Sequence, residues 1–163
     1  MTPDQDFPSE QDGFSGSDEL AKQVEGLIRL VRSGEEVNIE LAFLIAEGLG
    51  NPPAFQQYWE GLLPLYQLAF KSKRKKLDAA ALTELFQLTE LDISDRKLTA
   101  LPESLGQLPN LEWLECSDNQ LQALPKSLAQ LPKLKRLDAR GNPLNHIPLA
   151  LRNKEGLTLL VDE

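Results

Sequence analysis

The chain has 163 residues, 41% hydrophobic and 26% charged, with a net charge of −8. That length suits one domain with a sizeable core, and the excess of acid argues against nucleic acid or an anionic membrane as main partner, favouring a basic protein surface. Cys116 and His146 are single residues of their kind, which excludes an intrachain disulfide and a thiolate zinc cluster, so no metal and no cofactor is expected.

Residues 1–16 read as a disordered acidic tail. They carry Asp4, Asp6, Glu10 and Asp12 and no Lys or Arg, and only Phe7 and Phe14 are large and apolar. A peptide arm anchored by those two rings is the functional alternative. The start has neither the basic residues nor the apolar stretch of a secretion signal, and no apolar run reaches membrane-spanning length. The expected location is the cytoplasm.

Residues 17–70 read as a helical cap of three to four helices. Ser17 is the expected N-cap of the first, with Leu20, Val24, Leu27, Ile28 and Val31 on one face and Gly34 as its stop. A second helix starts near Glu35. Val37, Leu41, Leu44, Ile45 and Leu49 share a face, and Ile39, Ala42, Phe43 and Ala46 make it apolar nearly all round. It is the expected buried centre of the cap. Asn51 and Pro52 read as N-cap and first residue of a third helix, whose face is Phe55, Trp59, Leu62, Leu63 and Tyr66 and which Pro64 should kink or split. Tyr58 and Trp59 read as core rather than as a ligand pocket.

Residues 71–77 hold the basic run Lys71, Lys73, Arg74, Lys75 and Lys76. A solvated connector is the preferred reading. Phosphate contact is the alternative, and the lack of interleaved aromatics weakens it.

From 78 to 163 the chain repeats itself. Segments starting at Leu88, Leu111 and Leu134 align without gaps at a spacing of 23 residues, and a partial fourth starts at Leu157. Each opens with Leu-x-x-Leu-x-apolar: Leu88, Leu91 and Ile93; Leu111, Leu114 and Cys116; Leu134, Leu137 and Ala139. A second apolar pair and a proline follow, at Pro102, Pro125 and Pro148. The alternation at Leu91 and Ile93 is a strand period. One such strand cannot shelter its apolar side alone, so successive repeats stack and pair in parallel. Strands are expected at 90–92, 113–115, 136–138 and 159–161, opened by a helix at 78–86.

This pattern resembles the leucine-rich repeat family, in its 23-residue Leu-Pro form, over about residues 82–163. The resemblance implies an α/β solenoid of about four parallel strands, here with an α-helical N-terminal cap. It also implies an inward asparagine after each strand that bonds loop backbone, matched by Asn119 and Asn142. Arg96 holds that position in the first repeat, which marks it as atypical.

The outward strand positions form the expected partner-binding strip on the concave face: Glu90, Asp92, Ser94 and Asp95; Glu112, Trp113, Glu115, Ser117 and Asp118; Lys135, Arg136, Asp138 and Arg140. Asp92, Glu115 and Asp138 share one repeat position and read as a ladder of acids. Trp113 is the expected aromatic anchor. Cys116 reads as a small buried residue rather than a nucleophile. No catalytic residues are expected; the residual enzyme hypothesis places a pocket between cap and first repeat, using Glu84, Asp92 or Asp95. The expected function is therefore non-catalytic binding of a protein partner, with no small-molecule substrate. The runner-up is self-association through the open C-terminal strand edge.

Overall fold

The computed structural model describes residues 16–162. The tail reading of the N-terminus, and any arm made by Phe7 and Phe14, lie outside the described residues.

Six α-helices and four strands are described: α1 (Gly16–Val31), α2 (Glu36–Gly48), α3 (Pro53–Glu60), α4 (Leu63–Phe70), α5 (Ala79–Phe86), β1 (Glu90–Asp92), β2 (Trp113–Glu115), β3 (Arg136–Asp138), α6 (Leu149–Arg152) and β4 (Thr158–Leu160). The strands form one parallel sheet in chain order. Glu90 lies opposite Trp113, and Trp113 opposite Arg136. This is the 23-residue register that the leucines require. Leu91, Leu114 and Leu137 point inward and are buried, as are Ile93, Cys116 and Ala139 two positions on.

The return segments lie on the opposite side of this core. Pro102 and Pro125 sit in extended backbone and lead into single 3₁₀ turns at Glu103–Gln107 and Lys126–Gln130. A proline here fixes φ and leaves no orphan N–H. Leu105, Leu108, Leu128 and Leu131 turn inward and are fully buried.

The fourth strand departs from strict periodicity. Arg136 pairs with Thr158, 22 residues on, so β4 spans 158–160 and not the expected 159–161. The third return segment is a turn of α-helix, α6, rather than 3₁₀, and the chain crosses from Pro148 to Thr158 in one residue fewer than from Pro125 to Arg136. The shift also has an energetic reason. An unbroken 23-residue phase would align Asp162 with inward Ala139, whereas the observed register aligns Val161 there.

The cap differs from expectation in three places. Ser17 lies inside α1, already helical at Gly16, the first described residue, so it is not the N-cap. Asn51 has φ +55°, and Pro52 is the residue that precedes α3. The third helix is split, as Pro64 leads one to expect, with α4 starting afresh and Pro64 in its first turn, where a missing N–H costs nothing. The largest correction concerns α2, which is not a buried centre. Only Ile39, Ala42 and Ala46 are buried, while Val37 and Leu44 are 73% and 67% exposed, and Leu41, Ile45 and Leu49 are also exposed. Of α1's expected face, Leu20 is exposed too.

The cap is seated on the first repeat. α2 packs against α5, and Asp78 caps α5 by accepting the Ala81 N–H at 2.8 Å. Gly34 has φ +72°, and a side chain there would strike Pro109 and Asn110. One continuous apolar core runs from Val24 to Leu151.

Candidate protein-binding face

Each strand contributes alternate side chains to the solvent side of the sheet. Two columns result: Glu90, Trp113, Arg136 and Thr158 in one, Asp92, Glu115, Asp138 and Leu160 in the other. Trp113 stands at the centre and is 51% exposed. A depression of about 240 Å³ lies beside it, lined by Glu90, Leu91, Asp92, Trp113, Leu114, Glu115 and Arg136. Seven of the expected partner-binding residues belong to these columns or the adjoining strand ends: Glu90, Asp92, Trp113, Glu115, Arg136, Asp138 and Glu112.

The expected ladder of three free acids is not what the structure contains. Asp138 is 1% exposed and belongs to an ion-pair cluster. Arg140 donates to it through Nε at 2.9 Å and through Nη2 at 2.5 Å, and Arg136 lies 3.6 Å away. The Arg140 guanidinium holds the Asp138 carboxyl below the usual range, and Asp138 in turn raises Arg140. Asp138 is therefore not a residue a partner can touch. Asp92 accepts from the Ser94 hydroxyl at 2.5 Å and from its N–H at 2.9 Å. Those bonds lower its pKa, with Arg96 and Lys71 adding charge attraction. Glu112 pairs with Lys135 at 2.7 Å. Glu90 and Glu115 take part in no ion pair among the described residues.

Asp95 and Asp118 occupy left-handed backbone at φ +49° and +53° just after the strands, where both are exposed. Aspartate tolerates that region because its short side chain can satisfy nearby backbone.

The strip rests on buried amides beneath. Asn119 Oδ1 accepts from the Arg96 and Leu98 N–H groups, both at 3.0 Å. Its Nδ2 donates to the carbonyls of Ile93, Cys116 and Ser117 at 2.9–3.0 Å. Asn142 accepts from Leu121 and donates to Cys116, Ala139 and Arg140. Cys116 is fully buried between them. Burial, then Glu115 and Asp138, push its thiol up to about 12, which keeps it protonated and poorly nucleophilic.

Arg96 has a role that the sequence reading did not assign. Excluded from the buried position, its guanidinium donates to the Asp92 carbonyl at 2.6 Å and to the Leu68 carbonyl of α4. It clasps the cap to the first strand. A long cation where the other repeats carry asparagine was the available signal. The Asp138 cluster also had one: Arg136, Asp138 and Arg140 alternate, and a strand puts alternate residues on one side.

Of the three acids named for a pocket between cap and first repeat, Glu84 and Asp92 are engaged in other contacts. Glu84 accepts from the Tyr66 hydroxyl at 2.6 Å. Asp92 lines the depression beside Trp113, and neither Glu84 nor Asp95 does. Among the described residues no helix is long and apolar enough to cross a membrane.

The leucine rich repeat family model matches residues 86–144. Among solved structures, a leucine-rich repeat protein of Leptospira interrogans is similar at 35% identity and a TM-score of 0.45, over 47% of this chain and 20% of that one. None of the curated proteins matches the chain.

Proposed function

We propose that this chain, whose residues 86–144 match the leucine rich repeat family model, binds a protein partner on the concave face of its sheet, without a catalytic role. The observation that carries this reading is the exposure of Trp113 at the middle of that face. The fold does not need an aromatic ring there, since any polar residue would serve an outward strand position. Glu90 lies across from Trp113 in the sheet register and Glu115 is two residues along its strand. Both carboxylates are free of ion pairs among the described residues. A Lys or Arg of the partner set over the indole would gain a cation–π contact and a carboxylate together. Arg136 and Arg140 cover Asp138 at the other end, so basic partner residues belong at the β1–β2 end.

The test is affinity capture with the wild-type chain against a Trp113→Ala/Glu115→Ala double variant, followed by calorimetry on the captured protein. Trp113→Ala alone is expected to weaken binding by about 2 kcal/mol, with the melting temperature held. Full affinity in a folded variant would move the site off this face.

A second reading has one observation in its favour. Leu144, Ile147, Leu157, Leu159 and Val161 line an open hollow at the β4 end, which a second copy could cover. Mass by light scattering over a concentration range separates it from the first: a monomer throughout removes it.

A further inference from the structure

We infer that the cap carries a second docking surface, on α2 and α1, for an amphipathic helix of another protein whose apolar stripe is flanked by Lys and Arg. Val37, Leu41 and Leu44 recur at helical spacing on a side of α2 that is exposed among the described residues. Ile45 and Leu49 continue the apolar surface toward α1, where they meet Leu27, Leu30 and Gly26 in an open groove of about 400 Å³. A side chain at Gly26 would touch nothing, so the backbone of α1 is open to close approach. Single exposed apolar residues are ordinary, but a contiguous strip along one helix is not. A groove between two helices with anchors at such spacing is the geometry that receives a third helix.

Charge decides which helix. Glu36, Glu40 and Glu47 follow one another at steps of 4 and 7, so they line one flank of the strip. None is in an ion pair among the described residues, and α2 has no Lys or Arg. In a pairing of α2 on α2 a second copy of the chain brings no cation to the glutamates, and the antiparallel two-fold arrangement sets the two glutamate rows side by side. Residues 1–15 offer Asp4, Asp6, Glu10 and Asp12 and no cation either. A basic-flanked helix from elsewhere is complementary in both respects, burying its apolar stripe while its cations face the glutamates.

The experiment uses the full chain and two synthetic helical peptides of about five turns. Both carry the same leucine stripe; one is flanked by lysines, the other by glutamates. Fluorescence anisotropy should show the lysine peptide binding to wild type. Leu44→Asp should weaken it at least about tenfold, the worth of one buried leucine, although the change adds negative charge. Leu41→Ser serves as a second variant, and circular dichroism checks that both stay folded. Glu40→Lys/Glu47→Lys should reverse the preference toward the glutamate peptide, and Trp113→Ala should leave binding as in wild type. Equal affinity for the two peptides, or indifference to both Leu44→Asp and Leu41→Ser, would overturn the inference. So would binding lost with Trp113→Ala, which would put the peptide on the sheet. A dimer abolished by Leu44→Asp would assign the strip to a second copy instead. Methyl resonances of Val37 and Leu44 that move in Phe7→Ser/Phe14→Ser would assign it to the chain's own N-terminus.

Discussion

Asn119 makes five hydrogen bonds to backbone from a buried position, and three of them reach across to the first repeat, at Ile93, Arg96 and Leu98. Asn119→Ala should cost roughly 3 kcal/mol, because buried donors and acceptors are left unpaired. Urea unfolding checks it, and a loss below about 1 kcal/mol would show the turn re-forming its bonds by itself. Asp138 carries a different dependence. Its pKa is depressed in the folded chain, chiefly by Arg140. Its stabilisation is therefore complete above the unfolded value of about 3.9 and is lost as pH falls through the folded value. Asp138→Asn should lower the urea midpoint at neutral pH, with the gap to wild type closing in acid. A gap that stays constant down to strong acid would remove the carboxylate from that account. The identity of these residues was legible, but their environments were not equally so. Asn119 and Asn142 stand at a repeated position, whereas the burial of Asp138 depends on two arginines folding over it.

At the scale of elements, close stacking sets the tolerances. The turns at Glu103–Gln107 and Lys126–Gln130 approach so nearly that a Cβ on Gly106 would overlap the Ser127 backbone. Gly106→Ala should destabilise by about 2 kcal/mol, the usual cost of overpacking, even though alanine is otherwise the better turn former. Thermal unfolding of that variant at wild-type temperature would mean the two turns can part without cost. Strands β1 to β3 could be placed from the sequence to the residue, since Leu91, Leu114 and Leu137 recur in phase. β4 could not, because the chain from Pro148 to Thr158 is one residue shorter than from Pro125 to Arg136 and the register slips by one. Helix α2 shows the limit of periodicity most plainly. Two apolar stripes run along it, Ile39–Ala42–Ala46 and Val37–Leu41–Leu44, and spacing alone does not rank them. The packing of α1 and α5 covers the first and leaves the second to solvent.

Over the whole molecule, cap and repeats share one core and are pinned together by Arg96 and by the Gly34 turn. A stack of repeats whose neighbours support each other unfolds as a unit when no interface is weak. The two tryptophans report on each half, Trp59 in α3 and Trp113 in β2. In Trp113→Phe and in Trp59→Phe, the urea curve followed by the remaining indole should overlay that from circular dichroism. A fluorescence transition that separates from the circular dichroism curve in either variant would show the halves melting independently.

The amino-acid order alone determined the stack: leucines at a 23-residue spacing oblige each turn of chain to shelter the next, and that relation needs no knowledge of anything further away. It likewise determined that Trp113 faces out and Cys116 faces in, since neighbours on a strand must alternate. Tertiary structure alone decided which stripe of α2 is covered, that Asp138 is neutralised, and where Arg96 reaches. Each of those outcomes depends on groups brought together across the fold, and a free-energy competition between distant contacts leaves no period in the sequence.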